Sequence, residues 1–267
     1  MTALPELSAA KASWVRTLMR ERKARDAEGV LVLEGEKAIR ELVARDPGSV
    51  KALVLTAAAR ERLTDLPRSA SMPVYLSRDT VFEKLSDLVT AAGVLAVVRR
   101  PQWKPDDLLR RARLLALYGE TIQDPSNVGA MVRTAAAFQF DALWLSSDCA
   151  DPYAPKAVRA AAGAIFFLPI FTARSPELFA MHKLPMLAAV PPGAGSRSIE
   201  AITELPARAV VAFGNESRGL SPATTKAAQT RFHIPLSLHV ESLNVAAAVA
   251  VSAFYFRRLA RATPSAG

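Results

Sequence analysis

Residues 231–258 read RFHIPLSLHVESLNVAAAVAVSAFYFRR. A short β-branched and aromatic run ends near Ile234-Pro235, and a run of Ala and Val begins at Val245. The pattern predicts a strand, a loop and then a helix over Val245–Arg258 that is too apolar all round to lie on a surface. Such a helix needs one cap, and one hydroxyl or amide would serve. Instead Glu241, Ser242 and Asn244 crowd its start. Three polar side chains at the mouth of a buried helix imply a bound molecule, drawn to free N–H groups and the positive end of the helix dipole.

Working outward, the same grammar repeats. RLLALY, ALWLSS, IFFLPI, MLAAV, AVVAF and FHIPL are candidate strands, with helices such as Gly129–Phe138 between them. Continuous apolar strands alternating with helices predict a mostly parallel sheet covered on both faces. Ligands of such sheets sit beyond the carboxyl ends of the strands. Upstream of RRPQWKPDD (99–107), GVLVLEG, VKALVLT, MPVYL and GVLAVVRR alternate with helical stretches. The expected organisation is a small α/β domain over 1–100, a linker over 101–110 and a larger α/β domain over 111–267.

The chain carries 34 Lys and Arg against 25 Asp and Glu, a formal charge of +9. That excess favours polyanions, nucleic acid above all. Arg16, Arg20, Arg22, Lys23 and Arg25 concentrate it in a basic arm near the N-terminus. No apolar run reaches the roughly 18 residues of a membrane span, and no secretory signal core is evident, so a cytoplasmic protein is expected. The three histidines are too scattered for a metal site, and neither HExxH nor CxxC occurs. Cys149 reads as a buried, idle thiol, and Trp144 as a packing residue. GxGxxG and GxxxxGK[ST] are also absent, which excludes the commonest nucleotide-phosphate loops.

Two further loops follow candidate strands. In DPSNVGAMVRTAAAF (124–138), Asn127 is a plausible N-cap, and Gly129 and Arg133 lie four apart on one helical face. In VVAFGNESRGLS (210–221), Gly214 and Gly219 bracket Asn215 and Glu216; glycine allows positive φ and close backbone approach to a ligand.

Together the three loops resemble the motifs of the SpoU (TrmH-like) family of RNA ribose 2′-O-methyltransferases in the SPOUT superfamily. The match is Asn127-x-Gly129-x-x-x-Arg133, Gly214-Asn215-Glu216-x-x-Gly219-Leu220-Ser221, and Ile234-Pro235 with Glu241-Ser242-Leu243-Asn244-Val245. Order and spacing fit over roughly 112–260, and LVLEGEKAIRELV with GVLAVVRRP resembles the ribosomal-protein-like RNA-binding domain many members carry. Ser126 and Ser217 stand where the family often has Gly, and Ala161 or Ala162 where it often has Ser.

The resemblance implies a parallel α/β domain with a deep trefoil knot, preceded by the small α/β RNA-binding domain. It implies S-adenosylmethionine as cofactor, no metal, and a homodimer through the C-terminal domain whose site draws on both chains. Gly214, Asn215, Ile234, Leu236, Leu243 and Asn244 would bind the cofactor. Asn127, Arg133, Glu216, Ser242 and Asn244 would form the catalytic set, and Arg133 and the basic arm would bind RNA. The substrate would be ribosomal RNA, with transfer RNA, or an RNA-binding protein of the same fold without catalysis, as the alternatives.

Overall fold

The computed structural model describes residues 4–66, 72–88, 90–172, 174–193 and 195–261. The chain divides into two compact units, one of residues 1–101 with 153–166, the other of 102–152 with 167–267.

The first unit opens with α1 (Ala9–Arg20), N-capped by the Ser8 hydroxyl, and α2 (Arg22–Glu28), stopped by Gly29 in the left-handed conformation. Then come β1 (Val30–Glu34), α3 (Glu36–Arg45), β2 (Val50–Leu55), α4 (Ala57–Arg62), β3 (Val74–Leu76), α5 (Asp79–Phe82) and β4 (Val94–Arg99). The sheet order is β1-β4-β2-β3, antiparallel on both sides of β4 and parallel between β2 and β3. Val15 and Leu18 of α1 pack on Val32, Val54 and Val97. Burial of the apolar residues of these strands is what holds so small a sheet together.

The second unit begins with α6 (Pro105–Leu109), whose Leu108 and Leu109 are buried in its core. The segment read as a linker therefore carries core residues. β5 (Leu114–Gly119), α7 (Pro125–Ala137) and β6 (Ala142–Leu145) follow. Residues 153–166, with α8 (Pro155–Ala161), then belong to the first unit, where α8 packs on β1. Buried Glu34 faces Arg159 there at 3.8 Å, and its burial raises its carboxyl pKa above the ordinary value. The chain returns as β7 (Ile170–Phe171), α9 (Glu177–Met181), β8 (Met186–Ala189), β9 (Arg197–Ser198), β10 (Glu204–Leu205), β11 (Arg208–Phe213), α10 (Pro222–Ala227), β12 (Thr230–His233), α11 (Val245–Arg258) and β13 (Ala260–Arg261).

Its seven-stranded sheet has the order β7-β6-β5-β11-β8-β12-β9, with every pairing parallel. Aromatic side chains cover both faces. Trp144, fully buried, stacks on Phe171 and meets Phe179 edge-on, while Phe232 bridges Phe213 and Phe256 of α11. Of the IFFLPI stretch only Ile170 lies in a strand, β7. Ala162 and Gly163 take left-handed conformations, a 3₁₀ turn follows, and Phe167 is 61% exposed. Nor is α11 buried all round: Val249, Ala253 and Phe256 face the core, but Val251 and Phe254 are 43% and 54% exposed.

Candidate functional site

The three loops converge beyond the carboxyl ends of β5, β11 and β12. The N-cap of α7 is Asp124, whose carboxylate accepts from the Ser126 N–H, and Pro125 occupies the first helical position. Asn127 is therefore not the cap. Placed inside the first turn, its side chain is available to reach across the loops. It donates to Glu216 Oε1 and accepts from Asn244 Nδ2 at 3.2 Å. Asn244 is the cap of α11, its Oδ1 accepting from the Ala246 N–H at 2.9 Å. One amide thus caps the apolar helix and also joins a relay, Asn244 to Asn127 to Glu216, linking all three loops.

The second loop closes on itself. Asn215 and Gly219 exchange two backbone hydrogen bonds, at 3.1 and 2.9 Å. Asn215 Oδ1 accepts from the N–H groups of Ser217 and Arg218, and its Nδ2 donates to the Thr121 carbonyl at 2.9 Å. The two glycines serve different needs. Gly219 has φ +68°, a conformation other residues adopt at a cost. A Cβ on Gly214 would lie 2.1 Å from the Gly219 carbonyl carbon. The close approach at Gly214 is thus made by its own loop's backbone.

Between this loop, the end of β12 and the segment leading into α11 lies a cavity of about 810 Å³. That is within the range of small-molecule sites. Gly214, Asn215, Glu216, Ile234, Leu236, Glu241, Ser242 and Leu243 all line it. Asn244 does not line it and acts through the relay instead. Arg133 is exposed on α7 and, among the described residues, has no hydrogen-bond or ion-pair partner. The cavity has apolar side chains beside backbone amides and carboxylates. Its lining, which also includes Arg218, suits an amphipathic ligand. Among the described residues no cluster of three or more His, Cys, Asp or Glu side chains that could hold a metal ion occurs.

Sequence reasoning missed the residues behind the loop. Glu120, almost buried, accepts from the Ser221 N–H at 2.7 Å and from the hydroxyls of Ser221 and Thr224. Thr121 receives Asn215 and is itself held by Ser146 and Asp148. The available signal was position, since both residues directly follow β5 at the sheet's ligand-facing edge.

Residues 114–254, from β5 into α11, match the model of the SpoU rRNA Methylase family. An uncharacterized tRNA/rRNA methyltransferase of Synechocystis is 32% identical over 90% of this chain and 88% of its own length. The 23S rRNA (guanosine(2553)-2′-O)-methyltransferase RlmP of Bacillus subtilis is 28% identical over 88% of this chain and 92% of its own. The chain belongs to the SpoU rRNA methylase family. Among solved structures, a putative RNA methyltransferase of the TrmH family from Porphyromonas gingivalis superposes with TM-score 0.77. It shares 29% identity over 94% of this chain and 98% of its own.

This SpoU member carries a second match over residues 15–96, to the MRM3-like substrate binding domain. The basic arm falls at its start and divides in two. Arg20 and Lys23 are exposed, Arg16 half-buried, and Arg22 pairs with Asp26 at 3.4 Å. Arg25 is 3% exposed, and its guanidinium donates to the Leu18 and Met19 carbonyls at the end of α1. It is a structural residue. Its Nη1 satisfies two carbonyls that helix geometry leaves without partners, and its burial takes it out of reach of RNA.

Proposed function

We propose that this protein is an S-adenosylmethionine-dependent methyltransferase acting on a ribose 2′-hydroxyl of ribosomal RNA in the cytoplasm. The observation that carries the reading is the Asn244–Asn127–Glu216 relay, which joins three sequence-distant loops beside the cavity. The bound cofactor supplies a methyl group on a cationic sulfur. Leu236 and Leu243 would flank its apolar part, backbone groups of Gly214 and Ile234 would hold its polar edges, and the Glu216 and Glu241 carboxylates would favour its positive charge.

The chain's own task is to deliver the hydroxyl and steady the charge that develops as its proton leaves. Arg133 has no partner among the described residues, so its fork of donors is available to a phosphate and to the developing alkoxide. A guanidinium is a donor with no free acceptor and is ill suited to take a proton from a hydroxyl, so the role assigned is electrostatic. Asn127, Ser242 and Asn244 orient substrate beside it. The exposed Val251 and Phe254 of α11 are proposed to meet a second copy of the chain, completing the site in a homodimer. The 234–244 loop is proposed to complete the trefoil knot.

Calorimetry with S-adenosylmethionine, followed by methyl transfer to purified ribosomal and transfer RNA, tests the reading. Cofactor binding with transfer to ribosomal RNA is expected. Transfer to transfer RNA alone would reassign the substrate. RNA binding without cofactor binding would leave a non-catalytic RNA-binding protein.

A further inference from the structure

Two adjacent residues at the end of β5 hold both ends of the 214–221 loop. Thr121 has φ +58°, in the left-handed region that a β-branched residue avoids. Such a residue persists only where its surroundings over-determine it, and here they do. Its N–H donates to Ser146 Oγ at 2.9 Å and its hydroxyl to Asp148 Oδ2 at 2.7 Å. Ser146 donates to the other oxygen of the same carboxylate. Held this way, the Thr121 carbonyl receives the Asn215 amide, and Asn215 in turn gathers the N–H groups of Ser217 and Arg218. At the far end of the loop, Glu120 grips Ser221 through both its N–H and its hydroxyl. Of all these residues only Asn215, Ser217 and Arg218 line the cavity, so the others act through the loop.

We propose that Glu120 and Thr121, backed by Ser146 and Asp148, are positioning residues that set the 214–221 loop for S-adenosylmethionine. This rests on the reading of the cavity as the cofactor site. Asp148 suits the role: the hydroxyls of Ser146 and Thr121 hold its carboxyl below the ordinary carboxylate value, as expected of an ionised acceptor.

The test compares Thr121→Val, which keeps the branched shape and removes the hydroxyl, with Thr121→Ser, which keeps the hydroxyl. Hydrogen exchange of residues 214–221 in the ligand-free protein reads the loop, and calorimetry reads cofactor affinity. Thr121→Val is expected to speed exchange there and weaken binding by at least about tenfold, the loss of one charge-assisted hydrogen bond. Circular dichroism should show the fold retained, and Thr121→Ser should restore both readouts. Unchanged exchange would overturn the proposal, and so would faster exchange with unaltered affinity. If the wild-type protein binds no cofactor while exchange responds as described, the brace stands. It is then the cofactor reading that fails.

Discussion

Gly214→Ala is the sharpest perturbation of the site. The new methyl would meet the Gly219 carbonyl carbon at 2.1 Å, the Leu220 nitrogen at 2.2 Å and the Gly219 oxygen at 2.3 Å. All three are backbone atoms, so no side chain can turn aside. Ordinary contact begins at 3.4 Å, so the loop must open by about 1.3 Å. The Asn215–Gly219 pair, now bonded at 3.1 and 2.9 Å, would then lie beyond hydrogen-bonding range. Losing both bonds and disturbing the two that Asn215 Oδ1 accepts costs roughly 2–4 kcal/mol. If cofactor binding must restore the loop, affinity falls roughly 100-fold. Gly219→Ala is the control, since nothing lies within 4 Å of its Cβ and only its φ of +68° resists. That strain is worth roughly 1–2 kcal/mol, or about tenfold. Calorimetry with S-adenosylmethionine on both variants, with circular dichroism to confirm folding, decides the matter. Binding by Gly214→Ala within about threefold of wild type, or no weaker than by Gly219→Ala, would refute the steric argument.

Arg25→Ala should lower the stability of the first unit by about 2 kcal/mol by abandoning buried carbonyls, measured by urea denaturation. Arg20→Ala with Lys23→Ala should leave stability unchanged and flatten the salt dependence of RNA binding by roughly two phosphate contacts. Phe254→Asp should convert a dimer to a monomer in analytical ultracentrifugation; a monomeric wild type would remove the proposed interface. Asp148 has a depressed folded pKa, so its contribution is fully present above the ordinary carboxylate value and lost only as pH falls through the lower folded one. Cofactor affinity should therefore show no Asp148-dependent step above about pH 4. A step near pH 6 that vanishes in Asp148→Asn would contradict this.

The three loops were legible because each needs unusual residues at fixed spacing. Asn244 could be placed at the mouth of α11, and Glu216 between glycines, from sequence alone. The supports behind them were not. Glu120 and Thr121 look like any polar pair after a strand, and their importance comes from contacts with residues about 100 and 25 positions away. Arg25 was misread for a related reason. Charge counting treats every arginine as solvated, whereas a helix end with bare carbonyls can draw one inside. IFFLPI was overread because apolar content alone cannot distinguish a strand from a turn with an exposed Phe167. The assignment of residues 153–166 to the first unit leaves no local signal at all, since it depends on which sheet α8 covers.

The most direct measurement is to incubate the protein with isotopically labelled S-adenosylmethionine and ribosomal RNA lacking its modification, then digest and map the label. The account predicts label on the 2′-oxygen of one ribose, abolished in Arg133→Ala while cofactor binding survives. Label on a base, or undiminished transfer by Arg133→Ala, would contradict it.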